Sequence, residues 1–329
     1  MKFSAAVLLL TLTAPTATAF TPTFLPHTTK HSAKHSALNL SVGVVGGSSG
    51  AVGKEIIGVL ENRNFDVTDL RIYGSARSAG KKVATKFGEV TCEKFSIESA
   101  KSCDIVFLAV SGEFAHEHAE KLAESSVVID NSSAFRMKEG VPLVIPEING
   151  ATCKGKKLIA NPNCTTAIGL MAVNPLHKLF KMKRMLMSTY QASSGAGQEG
   201  MDELEAGTRD VVNGVKKVAD DWAGGSHPLA FNLIPHIDKF QENGYTKEEM
   251  KVTWETRKIM GLDGEFPVSC TAVRIPIYRA HSETIVMETE EKVSRHTRRF
   301  YATPIPQTTS YNRTTRRCSH MRVANTGRS

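Results

Sequence analysis

The sequence predicts an α/β protein in two parts: a parallel sheet flanked by helices, followed by an α+β domain. Three observations predict this. Residues 104–110 (DIVFLAV) form a continuous apolar run, the pattern of a parallel strand buried on both faces. Short strand-like runs alternate with helical stretches from residue 40 to about 145, which implies parallel strands joined by helical crossovers. Beyond Cys164 longer helices separate alternating strands. At 329 residues the chain has room for roughly two domains.

The elements follow in order. Residues 40–45 are a short apolar run that ends in glycines, and residues 50–60 continue at helical spacing. Residues 67–73 read as a second strand and residues 116–123 as a helix. Residues 127–130 and 143–145 read as further strands. Residues 166–179 predict a helix of about four turns. Residues 185–191 alternate like a strand, and residues 199–212 form an amphipathic helix. Residues 246–260 predict a helix whose Thr246-Lys247-Glu248-Glu249 start fits a capping box. Residues 268–277 and 284–288 read as strands. The domains expected are 41–164 and 165–294.

Hydrophobic residues make up 41% and charged residues 22%, so most of the chain can form a packed core. The net charge of +8 is confined to the ends. Residues 1–40 carry +3 and residues 295–329 carry +8, which leaves the centre at −3. The body has no basic excess, and this excludes nucleic-acid binding by it. The six cysteines show no C-x-x-C pair and no His/Cys spacing that would hold a metal, so no metal and a reducing compartment are expected.

The N-terminus has Lys2, an apolar run over residues 5–12 and small residues before Phe20, the layout of a cleavable signal. That run is too short to anchor a chain across a bilayer, so no membrane association is expected after processing. Residues 21–40 are rich in Thr, Ser, His and Lys and have no acid, which is transit-peptide composition. Together they resemble the bipartite presequences of complex plastids; simple secretion is the alternative. Residues 295–329 switch to Arg, Thr and Ser without apolar periodicity and are expected to stay disordered. They read as a misread exon or frameshift, or as a basic interaction tail.

Strand one runs into Gly46 and then Gly47, Ser48, Ser49, Gly50, Ala51, Val52 and Gly53. Small residues let the backbone approach a phosphate, and the following helix N-terminus offers free N–H groups to a pyrophosphate. A tight structural turn is the competing reading. After strand two, a carboxylate for ribose hydroxyls is missing. Ser75, Arg77 and Ser78 stand there instead, with Lys81 and Lys82 beyond, and they suit a 2′-phosphate. The cofactor expected is NADP, bound by a Rossmann-like domain. In Asn161-Pro162-Asn163-Cys164-Thr165-Thr166 a cysteine opens a helix, where the dipole and free amides favour a thiolate.

The strings VGGSSGAVG, SARSAGKK, NSSAFRM, NPNCTT, TYQASSGAG, NGYTKEEMK and RIPIYRAHSE occur in this order. Together they resemble aspartate-semialdehyde dehydrogenase over about residues 41–293. The resemblance implies reduction of aspartyl phosphate by NADPH, release of phosphate, and a homodimer or homotetramer whose second domain is both catalytic and dimerising. It implies Cys164 as nucleophile, Gln191 as the residue orienting the acyl intermediate, and His281 as acid/base. Arg274 would bind the substrate carboxylate and Glu248 its amine. Arg136 and Lys251 would line the phosphate pocket, with Asn163 before the nucleophile. Ser194 and Gly195 would lie on the cofactor side.

Two departures stand out. Gly46 adds a glycine to the loop. Beyond residue 294 no match is expected, so the family's last strand and closing helix would be missing. N-acetyl-glutamyl-phosphate reductase shares a glycine loop and a cysteine-bearing Asn-Pro motif and is the runner-up. A homologue impaired by its C-terminal part is the reading from a different class.

Overall fold

The computed structural model describes residues 40–215 and 227–293, and the backbone of 319–324. The first 39 residues, where the presequence is expected, lie outside the described residues, as does most of the expected tail. The first half comprises β1 (Ser41–Val45), α1 (Ala51–Asn62), β2 (Asp69–Gly74), β3 (Lys82–Thr85), β4 (Gly88–Thr91) and β5 (Glu93–Lys94). It continues with α2 (Ile97–Ala100), β6 (Ile105–Leu108), α3 (Gly112–Ala123), β7 (Val127–Asp130), α4 (Pro146–Asn149) and β8 (Leu158–Ala160). Six of these strands form one sheet in the order β5-β2-β1-β6-β7-β8, with every pairing parallel. Val42, Val44, Ile72, Val106, Leu108 and Val128 are fully buried, as strands covered on both faces require.

The chain leaves β1 to build one flank of the sheet, then returns to build the other from β6. This reversal opens a crevice at the carboxyl end of β1, where open α/β sheets bind ligands. The glycine loop lies there. Gly46 has φ +90°, and a Cβ on it would meet the Ala109 carbonyl, just beyond β6, at 2.3 Å. The additional glycine is therefore demanded by the close approach of β1's end to β6.

The second half comprises α5 (Cys164–Phe180), β9 (Met182–Gln191), α6 (Gly197–Val212), α7 (Lys247–Met260), β10 (Val268–Arg274), β11 (Ser282–Thr289) and β12 (Ser319–Ala324). Its sheet runs β10-β9-β11-β12, with β9 and β11 antiparallel and the other pairs parallel. Met185 and Met187 of β9, Ile285 and Met287 of β11, and Cys270 of β10 form its core with Val173 and Leu176 of α5 and Val252 of α7. Thr246 caps α7 in a complete capping box, and Gly261 ends the helix at φ 62°, in the left-handed region.

Three features differ from the sequence reading. Residues 143–145 are not a strand: Leu143 makes one isolated bridge to Ala160, and Ile145 leads into α4 with Pro146 at its start. Pro142 and Pro146 bracket the run, and proline neither donates to a ladder nor lets its predecessor continue freely. The hairpin β3–β4 and β5 are too brief and too polar to register as periodic runs, and the apolar β8 is only three residues long. Finally, part of the tail is a strand. Residues 319–324 pair with Glu283–Glu288 in register, because an edge strand offers backbone hydrogen bonds to almost any sequence.

One buried charge site stands apart in the second domain. Glu283 is 3% exposed, and neither carboxyl oxygen has a hydrogen-bond partner among the described residues. Burial raises its carboxyl from an ordinary 4.5 to about 8. Between those values the folded chain keeps a proton that the unfolded chain has lost. The stability from this group is therefore complete below 4.5 and lost as pH rises through 8. Glu283→Gln is expected to gain melting temperature over the native chain progressively from pH 4.5 to 8.5. Parallel melting-temperature profiles for the two proteins would contradict this.

Candidate active site

The glycine loop is shaped for close approach. A Cβ on Gly50 would lie 2.9 Å from the Gly46 carbonyl, and one on Gly53 2.4 Å from it. Gly50 caps α1 without a side-chain bond, and the first turn carries no acid, so the amides at residues 51–53 face outward with the positive end of the helix. Ser48 Oγ would lie 3.3 Å from a Cβ on Gly74, which brings the loop beside the turn after β2. In that turn Ser75 O accepts the Ser78 N–H at 2.9 Å. Lys82 is held by Glu89 at 2.7 Å across the hairpin, whereas exposed Arg77 has no ion pair among the described residues. These features fit a dinucleotide with its phosphates at the start of α1.

Cys164 is the first residue of α5. Its cap is Asn163, whose Oδ1 accepts the N–H groups of Thr165 at 3.0 Å and Thr166 at 3.4 Å. Thr165 Oγ1 donates to the same oxygen at 2.6 Å. Two of the helix's initial orphan amides are thereby satisfied, and that of Cys164 is left for a substrate oxygen. Cys164 stays exposed to solvent, which leaves a route for substrate, while protein on its other sides dehydrates it. That dehydration and the Glu248 carboxylate push the thiol upward; the Thr165 amide, Arg136 and Arg274 pull it down.

Three residues of α7 face this turn. Glu248 Oε1 accepts Asn163 Nδ2 at 2.9 Å and Gln191 Nε2 at 3.1 Å. Its Oε2 accepts Lys251 Nζ at 3.0 Å, and Lys251 also reaches Asp238 at 2.9 Å. Burial would raise Glu248, but Lys251, Asn163 and Gln191 outweigh it and hold the carboxyl below its usual range. Gln191 is itself oriented by Thr189 Oγ1, which donates to Gln191 Oε1 at 3.0 Å. Glu255, two turns on, accepts Arg136 Nη1 at 3.0 Å and the Asn163 N–H at 2.6 Å. Arg136 also donates to the carbonyls of Asn161 at 2.9 Å and Asn131 at 3.0 Å.

The fourth wall comes from β10 and β11. Arg274 Nη1 donates to the Ala192 carbonyl at 2.7 Å, while its buried Nε has no partner among the described residues. A Cβ on Gly195 would lie 2.5 Å from Arg274 Nη1 and 3.4 Å from His281 Cε1, so a side chain there would displace the Arg274 guanidinium. His281 Nδ1 accepts the Ala192 N–H at 2.9 Å. A backbone amide only donates, so the proton of the neutral ring sits on Nε2. Burial and the nearby Arg274 charge lower His281 to about 4, which keeps the ring neutral near pH 7. Ala280, just before it, has φ 72°, a strained setting for a residue with a Cβ.

Residues 41–156 match the family model "Semialdehyde dehydrogenase, NAD binding domain", and residues 173–325 match "Semialdehyde dehydrogenase, dimerisation domain". The aspartate-semialdehyde dehydrogenase of Aquifex aeolicus is 45% identical over 253 residues, covering 75% of this chain and 74% of that protein. That of Bacillus subtilis is 42% identical over 257 residues, covering 76% and 73%. A solved structure of aspartate semialdehyde dehydrogenase II from Vibrio cholerae, complexed with ASA, superposes with a TM-score of 0.75 at 36% identity, covering 80% of this chain and 78% of that one. The chain belongs to the aspartate-semialdehyde dehydrogenase family. The dimerisation match reaches residue 325 and takes in β12, which corrects the expectation of an unmatched tail.

For this family member the structure gathers Cys164, Asn163, Gln191, Glu248, Lys251, Arg136, Arg274 and His281 around one turn. Ser194 and Gly195 lie against the loop that carries His281: the Ser194 N–H donates to the Tyr278 carbonyl at 3.0 Å. Arg136 and Lys251 are not free cations but paired ones. The glycine-loop residues and Arg77 belong to the first sheet, and Arg279 ties the His281 loop to Glu55 of α1 at 2.5 Å. Sequence reasoning missed Glu255, Asp238 and Thr189. For Glu255 a signal existed: it falls seven residues after Glu248, on the same face of a helix.

Proposed function

We propose that this chain reduces L-aspartyl-4-phosphate to L-aspartate-4-semialdehyde with NADPH, through a thioester on Cys164. The observation that carries this reading is the placement of Cys164. It opens α5 directly after Asn163, which Glu248 holds, and it feels the charges of Glu248 and Arg274, the same two that act on His281. The orphaned Arg274 Nε, buried beside an anchored Nη1, is a donor suited to a substrate carboxylate. Glu248 takes the substrate amine within its existing network. Pairing with an ammonium removes the negative charge that holds the thiol up, so binding of substrate favours the thiolate.

The Cys164 thiolate then attacks the acyl carbon. The carbonyl π pair moves to oxygen and returns as the bond to phosphate breaks, leaving a thioester. The thiol's proton ends on the departing phosphate, which Arg136 and Lys251 flank. The Cys164 amide and the Nε2–H of His281 can hydrogen-bond the oxyanion. When bound, NADPH supplies the hydride that reduces the thioester. The resulting tetrahedral oxyanion collapses as the C–S bond breaks, which forms the aldehyde and returns the electron pair to the Cys164 sulfur. Gln191, fixed by Thr189 and Glu248, holds the acyl group through both additions.

In the reverse direction, NADPH formation from aspartate semialdehyde and NADP is expected to require phosphate and to vanish in Cys164→Ala. Turnover without phosphate, or with the alanine in place, would sink the thioester route. NADP preference rests on Arg77, Ser75 and Ser78 and on the lack of a carboxylate at the end of β2. Arg77→Glu is expected to raise the KM for NADP roughly tenfold or more, with little effect on NAD. An equal effect on the two cofactors would remove the 2′-phosphate argument. The composition of residues 1–40 supports delivery to a plastid. A fluorescent protein fused behind them is expected to accumulate there, and its secretion would refute that reading.

A further inference from the structure

We propose that Glu255 is a positioning residue, whose single buried carboxylate holds Arg136 and the backbone turn before Cys164 in fixed register. It touches neither the expected substrate groups nor the nucleophile. It acts through two donors that come from distant parts of the chain. Oε1 takes Arg136 Nη1 at 3.0 Å, and Oε2 takes the Asn163 N–H at 2.6 Å. Arg136 is fastened in turn to the Asn131 and Asn161 carbonyls, beyond the ends of β7 and β8. One carboxylate thereby locks α7, two strand ends and the cap of α5 together.

The chemistry of the site asks for a carboxylate at this point. A guanidinium and a backbone amide only donate, so the residue between them needs two acceptors. A glutamine offers one acceptor and one donor, and would turn one contact into donor against donor. Burying an ion pair is a poor way to gain stability, because dehydrating both charges offsets their attraction. Glu255 is 1% exposed, yet it keeps the pair. What it gains is placement. Three of the five Arg136 N–H groups are committed, and two remain in a fixed direction for an anion. The same residue face carries Glu248, which holds Asn163 by its side-chain amide. Asn163 is thus gripped at both amides from one helix. If a substrate amine engages Glu248, the Glu255 contact still holds the turn.

This inference rests on reading Cys164 as the nucleophile. The test uses the full chain with Glu255→Gln and Glu255→Asp, and Cys164→Ala as control. Readouts are kcat, the KM for phosphate in the reverse direction, and the rate at which iodoacetamide alkylates Cys164 as a function of pH. The charged groups facing that thiol are Glu248 from α7, Arg136 from the segment after β7 and Arg274 from β10. Glu255→Gln leaves Arg136 uncompensated, so the alkylation midpoint is expected to fall by about half a unit or more. Its kcat is expected to drop roughly tenfold, as for one lost charge-assisted hydrogen bond. Glu255→Asp keeps the charge but withdraws it by one methylene. It is expected to lower kcat without moving the midpoint. Native kcat in Glu255→Asp would overturn the proposal, even if Glu255→Gln fails to fold. So would variants that lose only thermal stability while kcat per titrated thiol and the midpoint stay native. An active Cys164→Ala would instead refute the underlying reading.

Discussion

Everything at the candidate site depends on how Asn163 is bonded. Its side-chain oxygen closes the first turn of α5, where free amides would otherwise be unsatisfied. Its side-chain nitrogen and its backbone nitrogen both donate to carboxylates of α7. A cap alone would fix the helix start relative to itself. The two further bonds fix it relative to α7, and through Arg136 relative to the ends of β7 and β8. Cys164 follows in the chain, so its position is inherited from these bonds rather than from contacts of its own.

The same bonds set the electrostatics. Two carboxylates and three cations converge within a largely buried region, and each of Glu248, Glu255, Arg136 and Lys251 is satisfied by another. Arg274 Nε is a buried donor that no acceptor among the described residues meets, and two Arg136 N–H groups also stay uncommitted. That asymmetry is what a site awaiting a carboxylate should show. A fully compensated cluster would have no reason to bind an anion, and a cluster of bare charges would not stay folded. The upward push on Cys164 belongs to the same balance, since it comes from burial first and Glu248 second.

What could be read from sequence divides by distance along the chain. The capping box of α7, the start of α5 at a cysteine and the glycine loop are local, and their residues carry the signal themselves. The run of residues 104–110 betrays its strand because burial on both faces leaves no polar position. The partners of Glu255 lie 92 and 119 residues away, and nothing near Glu255 names them. Residues 143–145 looked like a strand because apolar character is visible and missing N–H groups are easy to overlook. In β12 the failure ran the other way: strand addition uses backbone, which composition does not record. Gln191, Glu248, Lys251, Arg136, Arg274 and His281 are legible through resemblance, since a single His281 or Arg274 carries little signal alone.

The two sheets meet in one reaction site through a small number of contacts with different weights. The Arg279–Glu55 pair is half exposed at both ends, and such pairs are worth under about 1 kcal/mol. It joins α1, where the cofactor phosphates are expected, to the loop holding strained Ala280 and His281. The buried Arg136–Glu255 contact joins the segment after β7 of the first sheet to α7. Asn163, just before the nucleophile, is therefore held by a buried carboxylate, while His281 is held by the Ala192 amide and its loop reaches α1 through an exposed pair. The burial pattern thus places the cost of a dehydrated ion pair at the turn that carries the nucleophile, and leaves only an exposed pair between α1 and the His281 loop's Arg279.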